Sequence, residues 1–189
     1  MPAPHASHLL WLDFETDGND NVLEVAAMTT FLQPPFTEQG HSFESLIWPW
    51  LRGSGMVPDV QVDAPAVVRE MHHKSGLWVD LHNGLAAGSV PRPREVDEQL
   101  VAKLDEWGVT RAVLAGSGVG TFDHRLVRQW LPKTFERLMF YTFDVGVVRR
   151  YRLMLGKQRW KPPADLGHRA MADVLAHLNE ARYYVEQDR

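Results

Sequence analysis

A chain of 189 residues with net charge −4, no cysteine and 44% hydrophobic residues has the size and make-up of one soluble globular domain. The missing cysteines exclude disulfides and thiolate metal sites, leaving carboxylates and histidines as metal ligands. The acidic balance excludes a generic basic nucleic-acid coat, and no apolar run is long enough to cross a bilayer.

Met1 to His8 lacks the basic and apolar regions of a signal peptide. Residues 1–7 read as a flexible N-terminal tail and residues 8–189 as a single domain in a cytoplasmic protein. Strand one is expected from His8 to Asp13, and Val22 to Thr30 returns after a turn rich in Asp, Asn and Gly, which is hairpin chemistry. Ser42 to Ile47 offers a third strand, completing an antiparallel meander. Trp48 to Pro65, rich in Pro and Gly, reads as loop, and Ala66 to Lys74 as a helix that Ser75-Gly76-Leu77 breaks before a short apolar segment to Leu81.

Pro91-Arg92-Pro93 marks a second irregular stretch. From Glu95 onward Val96, Leu100, Leu104 and Trp107 recur every three or four residues, the spacing of an amphipathic helix. Arg111 to Ala115 is a buried strand, Gly116 to Thr121 a turn, and Phe122 to Leu131 a helix stopped by Pro132. Phe140 to Phe143 forms a further strand ending at Asp144, whose expected role is the N-cap of a helix from Val145 to Leu155. A last helix runs from near His168 to Val185 and is expected to bury Met171, Val174, Leu175 and Leu178. Trp11, Trp107 and Trp130 read as core. Strands first as a meander, then alternating with helices, define an α/β class: a mixed five-stranded sheet flanked by helices. That order is not the strand-helix-strand start of a dinucleotide-binding fold.

The chemistry concentrates at the end of strand one. Alternate strand residues share a face, so Asp13 and Glu15 project together, a poor arrangement for unpaired charges and a good one for a hard divalent cation. Asp123 opens the helix after the glycine turn. Asp173 lies one turn into the last helix, five residues after His168. Five residues of helix turn through about 140°, so a shared site requires His168 to lie at or before the first turn, which Gly167 and the preceding prolines permit. Four carboxylates and one histidine suit two-metal phosphoryl chemistry, with the histidine as general base. The run Arg149, Arg150, Arg152, Lys157, Arg159 and Lys161, interleaved with Tyr151 and Trp160, fits either a solvated helix face or a nucleic-acid contact. The glycines of Gly116 to Gly120 lack P-loop and dinucleotide spacing and read as a tight turn.

The order Asp-x-Glu, Asp, then His-x4-Asp resembles the DEDDh family of 3′→5′ exonucleases, and more narrowly its oligoribonuclease branch. The resemblance is carried by Trp11 to Glu15, Leu23 to Ala26, Met71 to Leu77, Phe122 to Arg125, Asp144-Val145, His168 to Asp173 and Glu180 to Tyr184, so it spans about residues 8 to 186. It implies a ribonuclease H-like fold. It also implies two Mg²⁺ or Mn²⁺ ions held by Asp13, Glu15, Asp123 and Asp173, and His168 deprotonating the attacking water. His72 and Ser75 would grip the 3′-terminal nucleotide and its phosphate. The expected activity is degradation of short oligoribonucleotides to nucleoside 5′-monophosphates by a homodimer. Two further readings stay open: a broader exonuclease on single-stranded DNA or RNA, and a non-catalytic oligonucleotide-binding module. Asn19 stands where the family usually carries a leucine that wedges between bases, and the glycine turn is one residue longer than is typical.

Overall fold

The computed structural model describes residues 6–48, 60–163 and 167–188. In chain order it contains β1 (His8–Thr16), β2 (Val22–Phe31), β3 (Glu38–Leu46), α1 (Val60–Asp63), α2 (Ala66–Lys74), α3 (Leu77–Ala86) and α4 (Pro93–Glu106). There follow β4 (Ala112–Gly116), α5 (Asp123–Trp130), α6 (Pro132–Phe135), β5 (Leu138–Asp144), α7 (Val145–Met154) and α8 (Ala170–Gln187). The sheet order is β3-β2-β1-β4-β5. β1 pairs antiparallel with β2 and parallel with β4, and β4 pairs parallel with β5. The mixed five-stranded sheet flanked by helices is thus the architecture observed.

β1 sits in the middle and serves two cores. Leu10, Leu12 and Phe14 join the cluster under α4 and α5, with Leu100, Leu104 and Leu126. Leu9 and Trp11 join the opposite cluster with Val174 and Leu178 of α8. The indole N–H of Trp11 donates to Thr30 Oγ1 at 2.9 Å, so its one polar atom is satisfied inside. Each such leucine contributes roughly 1.5–3 kcal/mol by leaving water. The odd-numbered face of β1 therefore looks towards α8, and Asp13 and Glu15 continue it.

The β1–β2 turn is built by Asp17, a buried carboxylate whose Oδ1 accepts from the backbone N–H of Asn19 (2.7 Å) and Asn21 (3.1 Å). Gly18 has φ +84°, and a Cβ there would come within 2.9 Å of Pro65 Cδ and 3.2 Å of Val68 Cγ2. Gly18→Ala is therefore expected to lower unfolding free energy by about 1–3 kcal/mol, measured by denaturant titration; an unchanged midpoint would show that this turn does not hold α2 in place.

Several elements depart from expectation. The segment after Gly76, expected as a short apolar stretch to Leu81, is the ten-residue helix α3: Gly76 adopts φ +76° and restarts the helix, which buries Leu77, Trp78 and Leu81. Of the loop expected from Trp48 to Pro65, residues 49–59 lie outside the described residues, and Val60–Asp63 is a helical turn. Pro93 is the first residue of α4, where its missing N–H costs nothing, and Glu95 Oε2 accepts from Arg92 N–H at 2.7 Å. Leu175 is exposed and Met171 only half-buried; Ala170, Val174, Leu178 and Ala181 form the inner stripe of α8 instead. Trp107 and Trp130 pack half-buried against the core. Of the expected tail, residues 1–5 lie outside the described residues, whereas Ala6 is buried and the Ser7 carbonyl accepts from Leu32 N–H at 3.0 Å. Among the described residues no helix is long and apolar enough to cross a membrane.

Candidate active site

The carboxylates meet where the odd face of β1 runs out from under α8. Asp13, Glu15 and Asp173 each offer an oxygen within 4.8 Å of the others. Glu15 and Asp123 are buried, Asp13 and Asp173 half-buried. Asp123 is the first residue of α5, delivered by the turn Gly116–Thr121. That turn is tied down from β5: Asp144 caps α7 through Val147 N–H (3.1 Å) and also accepts from Gly118 N–H (3.1 Å). The N-cap expected at Asp144 is thus observed, half-buried.

Burial governs the electrostatics, reinforced by crowding of like charge. Burial pushes Asp13 well above the usual carboxylate range, helped by the charges of Asp123, Asp173, Glu15 and Glu24. Burial, then Asp173 and Glu24, push Glu15 up to about 8. Burial pushes Asp123 up to about 7, against the pull of backbone amides of Asp123 and Phe14. Asp173 is raised too, chiefly by burial, and is hydrogen-bonded to Glu15. Asp123 Oδ1 is buried with no hydrogen-bond partner. A hard oxygen-donor set, crowded with like charge and with one buried oxygen left unpaired, fits divalent cations.

The sign of the pH dependence follows. These groups bind protons more tightly folded than unfolded, so their stabilisation is complete below pH 4 and lost as pH rises through about 7 to 8. While one such carboxylate titrates, the slope is about −1.4 kcal/mol per pH unit. Thermal unfolding of metal-free protein should therefore show a falling midpoint from pH 6 to pH 8.5. Saturating Mn²⁺, which displaces those protons, should raise the midpoint more at the alkaline end. A Mn²⁺ effect that is equal at both ends would refute this cation-binding account.

His168 lies outside α8, exposed, two residues before its first residue. It thereby escapes the angular divergence from Asp173, and its charge acts on both Asp173 and His72. His72, on α2, is fully buried; its Nε2 meets the Thr16 carbonyl at 2.8 Å and its Nδ1 lies 3.9 Å from Glu15 Oε2. Ser75 is half-buried at the C-terminus of α2, its hydroxyl donating to the His72 carbonyl at 3.3 Å. Asn19 donates its side-chain amide to the Asp63 carbonyl at 3.2 Å. Three of the six cations of the basic run are held in ion pairs: Arg149 with Glu180, and Arg152 and Lys157 with Asp188.

Two side chains were not assigned a role from the sequence. Glu24 on β2 lies opposite Glu15 in the strand register and is buried, and Arg169 grips it with both Nε (2.9 Å) and Nη2 (2.6 Å). The matching segments containing them were visible; an ion pair between residues this far apart has no local signature.

The chain is similar in structure to cell-death related nuclease 4 (TM-score 0.57, 12% identity), covering 96% of this chain and 64% of that one. It is also similar to Exonuclease I from Methylocaldum szegediense (TM-score 0.62, 18% identity), covering 95% of this chain and 40% of that one. It thus spans less than two thirds of either solved chain. No family model matches. The fold is that of the ribonuclease H-like, DnaQ-type exonucleases. In sequence the chain is 31% identical over 192 residues to the oligoribonuclease of Streptomyces griseus, covering 94% of this chain and 85% of the relative. It is 27% identical over 190 residues to that of Tropheryma whipplei (strain Twist), covering 97% and 95%. The chain belongs to the oligoribonuclease family of 3′→5′ exoribonucleases.

Proposed function

We propose that this protein hydrolyses short oligoribonucleotides from the 3′ end and releases nucleoside 5′-monophosphates. The observation that carries the reading is the convergence of Asp13, Glu15 and Asp173 beside buried Asp123, with His168 held just outside α8. Asp13, Glu15, Asp123 and Asp173 would hold two divalent cations, Mg²⁺ or Mn²⁺. When bound, these supply charge stabilisation to the attacking and leaving oxygens of an in-line displacement. His168 accepts a proton from water as the water oxygen bonds to phosphorus; the P–O3′ bond breaks, and the 3′ oxygen takes up a proton. Ser75 faces the 3′-terminal nucleotide, and His72 supports that side from within, bracing the Thr16 carbonyl next to Glu15.

One observation favours a broader single-strand exonuclease. Asn19 is polar and tethered to Asp63, so no apolar wedge stands at that position to select a short end. The deciding experiment digests 5′-labelled RNA of two, five and twenty nucleotides, and matched DNA, with Mg²⁺ or Mn²⁺. Preferential loss of the shortest RNA is the expected result. Equal digestion of the twenty-mer or of DNA would move the protein to the broader enzyme, and no digestion at all would overturn the hydrolase reading and leave the binding module standing.

The proposal includes a cytoplasmic homodimer. β5 is an edge strand of the sheet and exposes Phe140 (91%) and Tyr141, and the end of α7 exposes Tyr151 and Met154, large apolar side chains that an interface between two copies would cover. Sedimentation equilibrium should give twice the chain mass, and Phe140→Glu should return the monomer.

A further inference from the structure

We propose that Arg169 is a positioning residue, clamped on Glu24 and steadied by Asp80, that sets the spacing between His168 and Asp173. The inference rests on the reading of His168 as the proton acceptor.

Arg169 is the last residue before α8 and has extended backbone. Its carbonyl accepts from Asp173 N–H at 3.1 Å, the bond that opens the helix, and its own N–H donates back to the Gly167 carbonyl at 2.9 Å. His168 is therefore held in a tight bend immediately before the residue that starts the helix. What fixes that starting point is the side chain. Nε lies 2.9 and 3.1 Å from the two oxygens of Glu24, and Nη2 lies 2.6 Å from Oε1. The same carboxylate accepts from Ala170 N–H at 2.9 Å. Nη1 reaches Asp80 of α3 at 2.7 Å.

Glu24 is as buried as the core, with its side chain 1% exposed. A carboxylate there is tolerable only when paired and fully hydrogen-bonded, and Arg169 and the Ala170 amide do both. Only a planar guanidinium can engage Glu24 with two nitrogens and Asp80 with a third.

The test is a double-mutant cycle on short RNA at saturating Mn²⁺, with hydrogen exchange at the Ala170 amide and Mn²⁺ calorimetry on each variant. Arg169→Ala is expected to lower kcat by about 10–100-fold, the scale of a roughly 1 Å misplacement. KM and Mn²⁺ affinity should stay within about threefold, while Ala170 exchanges faster. Arg169→Lys should recover part of the loss, and Asp80→Asn should cost about 2–5-fold. In a His168→Ala background none of these changes should reduce kcat further, because a residue that acts through His168 has nothing left to position. Equal losses in both backgrounds, or a loss carried by KM and metal affinity, would overturn the clamp and leave the proton-acceptor reading intact. Undiminished activity of His168→Ala would overturn both. Should Arg169→Ala fail to fold, Arg169→Lys and Asp80→Asn carry the same cycle.

Discussion

Asp13→Asn is expected to abolish RNA hydrolysis and, at the same time, to make the metal-free protein more stable. The first half follows from position. Asp13 shares one oxygen cluster with Glu15 and Asp173, and their charges and that of Asp123 press on its own. On the proposed reading Asp13 would be among the residues that hold the cations, and an amide cannot replace a carboxylate in that role. A loss on the order of 10³-fold or more is expected. The second half follows from crowding. Burial and four neighbouring carboxylates oppose the Asp13 charge, so its removal relieves repulsion that the metal-free fold must tolerate at neutral pH. A gain of about 1–3 kcal/mol at pH 8 is expected, read as a raised thermal midpoint without metal. Single-turnover hydrolysis and thermal unfolding on the same preparation check both halves. Retained turnover would remove Asp13 from the metal set, and a lowered midpoint would show that its neighbours do not crowd it.

His168→Ala should cost on the order of 10²–10⁴ in rate while Mn²⁺ binding, followed by calorimetry, is largely preserved. The imidazole is exposed and off the helix, so its removal leaves no cavity and unfolds nothing. Its electrostatic influence on Asp173 places it near the cluster without making it part of the oxygen-donor set. Full activity between pH 7 and 8 would defeat the assignment and require another proton acceptor.

Much of the fold was legible because its signals are local. The β1–β2 hairpin is announced by Asp17 and Gly18, whose turn chemistry is a matter of adjacent atoms, and α4 by a stripe of Val96, Leu100 and Leu104 that nothing interrupts. α3 was hidden because Ser75-Gly76 looks like an ending: a left-handed glycine terminates one helix and permits another to begin at once, and only the burial of Leu77, Trp78 and Leu81 reveals which. Leu175 was misplaced because the small residues Ala170 and Ala181 let the sheet approach along a neighbouring stripe. At the candidate site the residue types were visible, and so was the need for His168 to precede the helix. The arrangement that meets this need was not. It depends on Arg169 crossing from the start of α8 to β2, and His72 is buried between the Thr16 carbonyl of β1 and the Trp78 ring of α3.

The two-sided burial of β1 has a consequence for how this lineage can vary. Because successive residues of the strand serve opposite cores, one codon inserted or deleted between Leu9 and Leu12 would exchange the two faces downstream of it. Asp13 and Glu15 would then turn towards α4 and α5, and apolar side chains would fill the place of the carboxylates. A two-residue change would restore the faces but shift the carboxylates by one pleat, roughly 7 Å, away from Asp173. Length variation is thereby barred from the central strand, where substitution alone is left to explore.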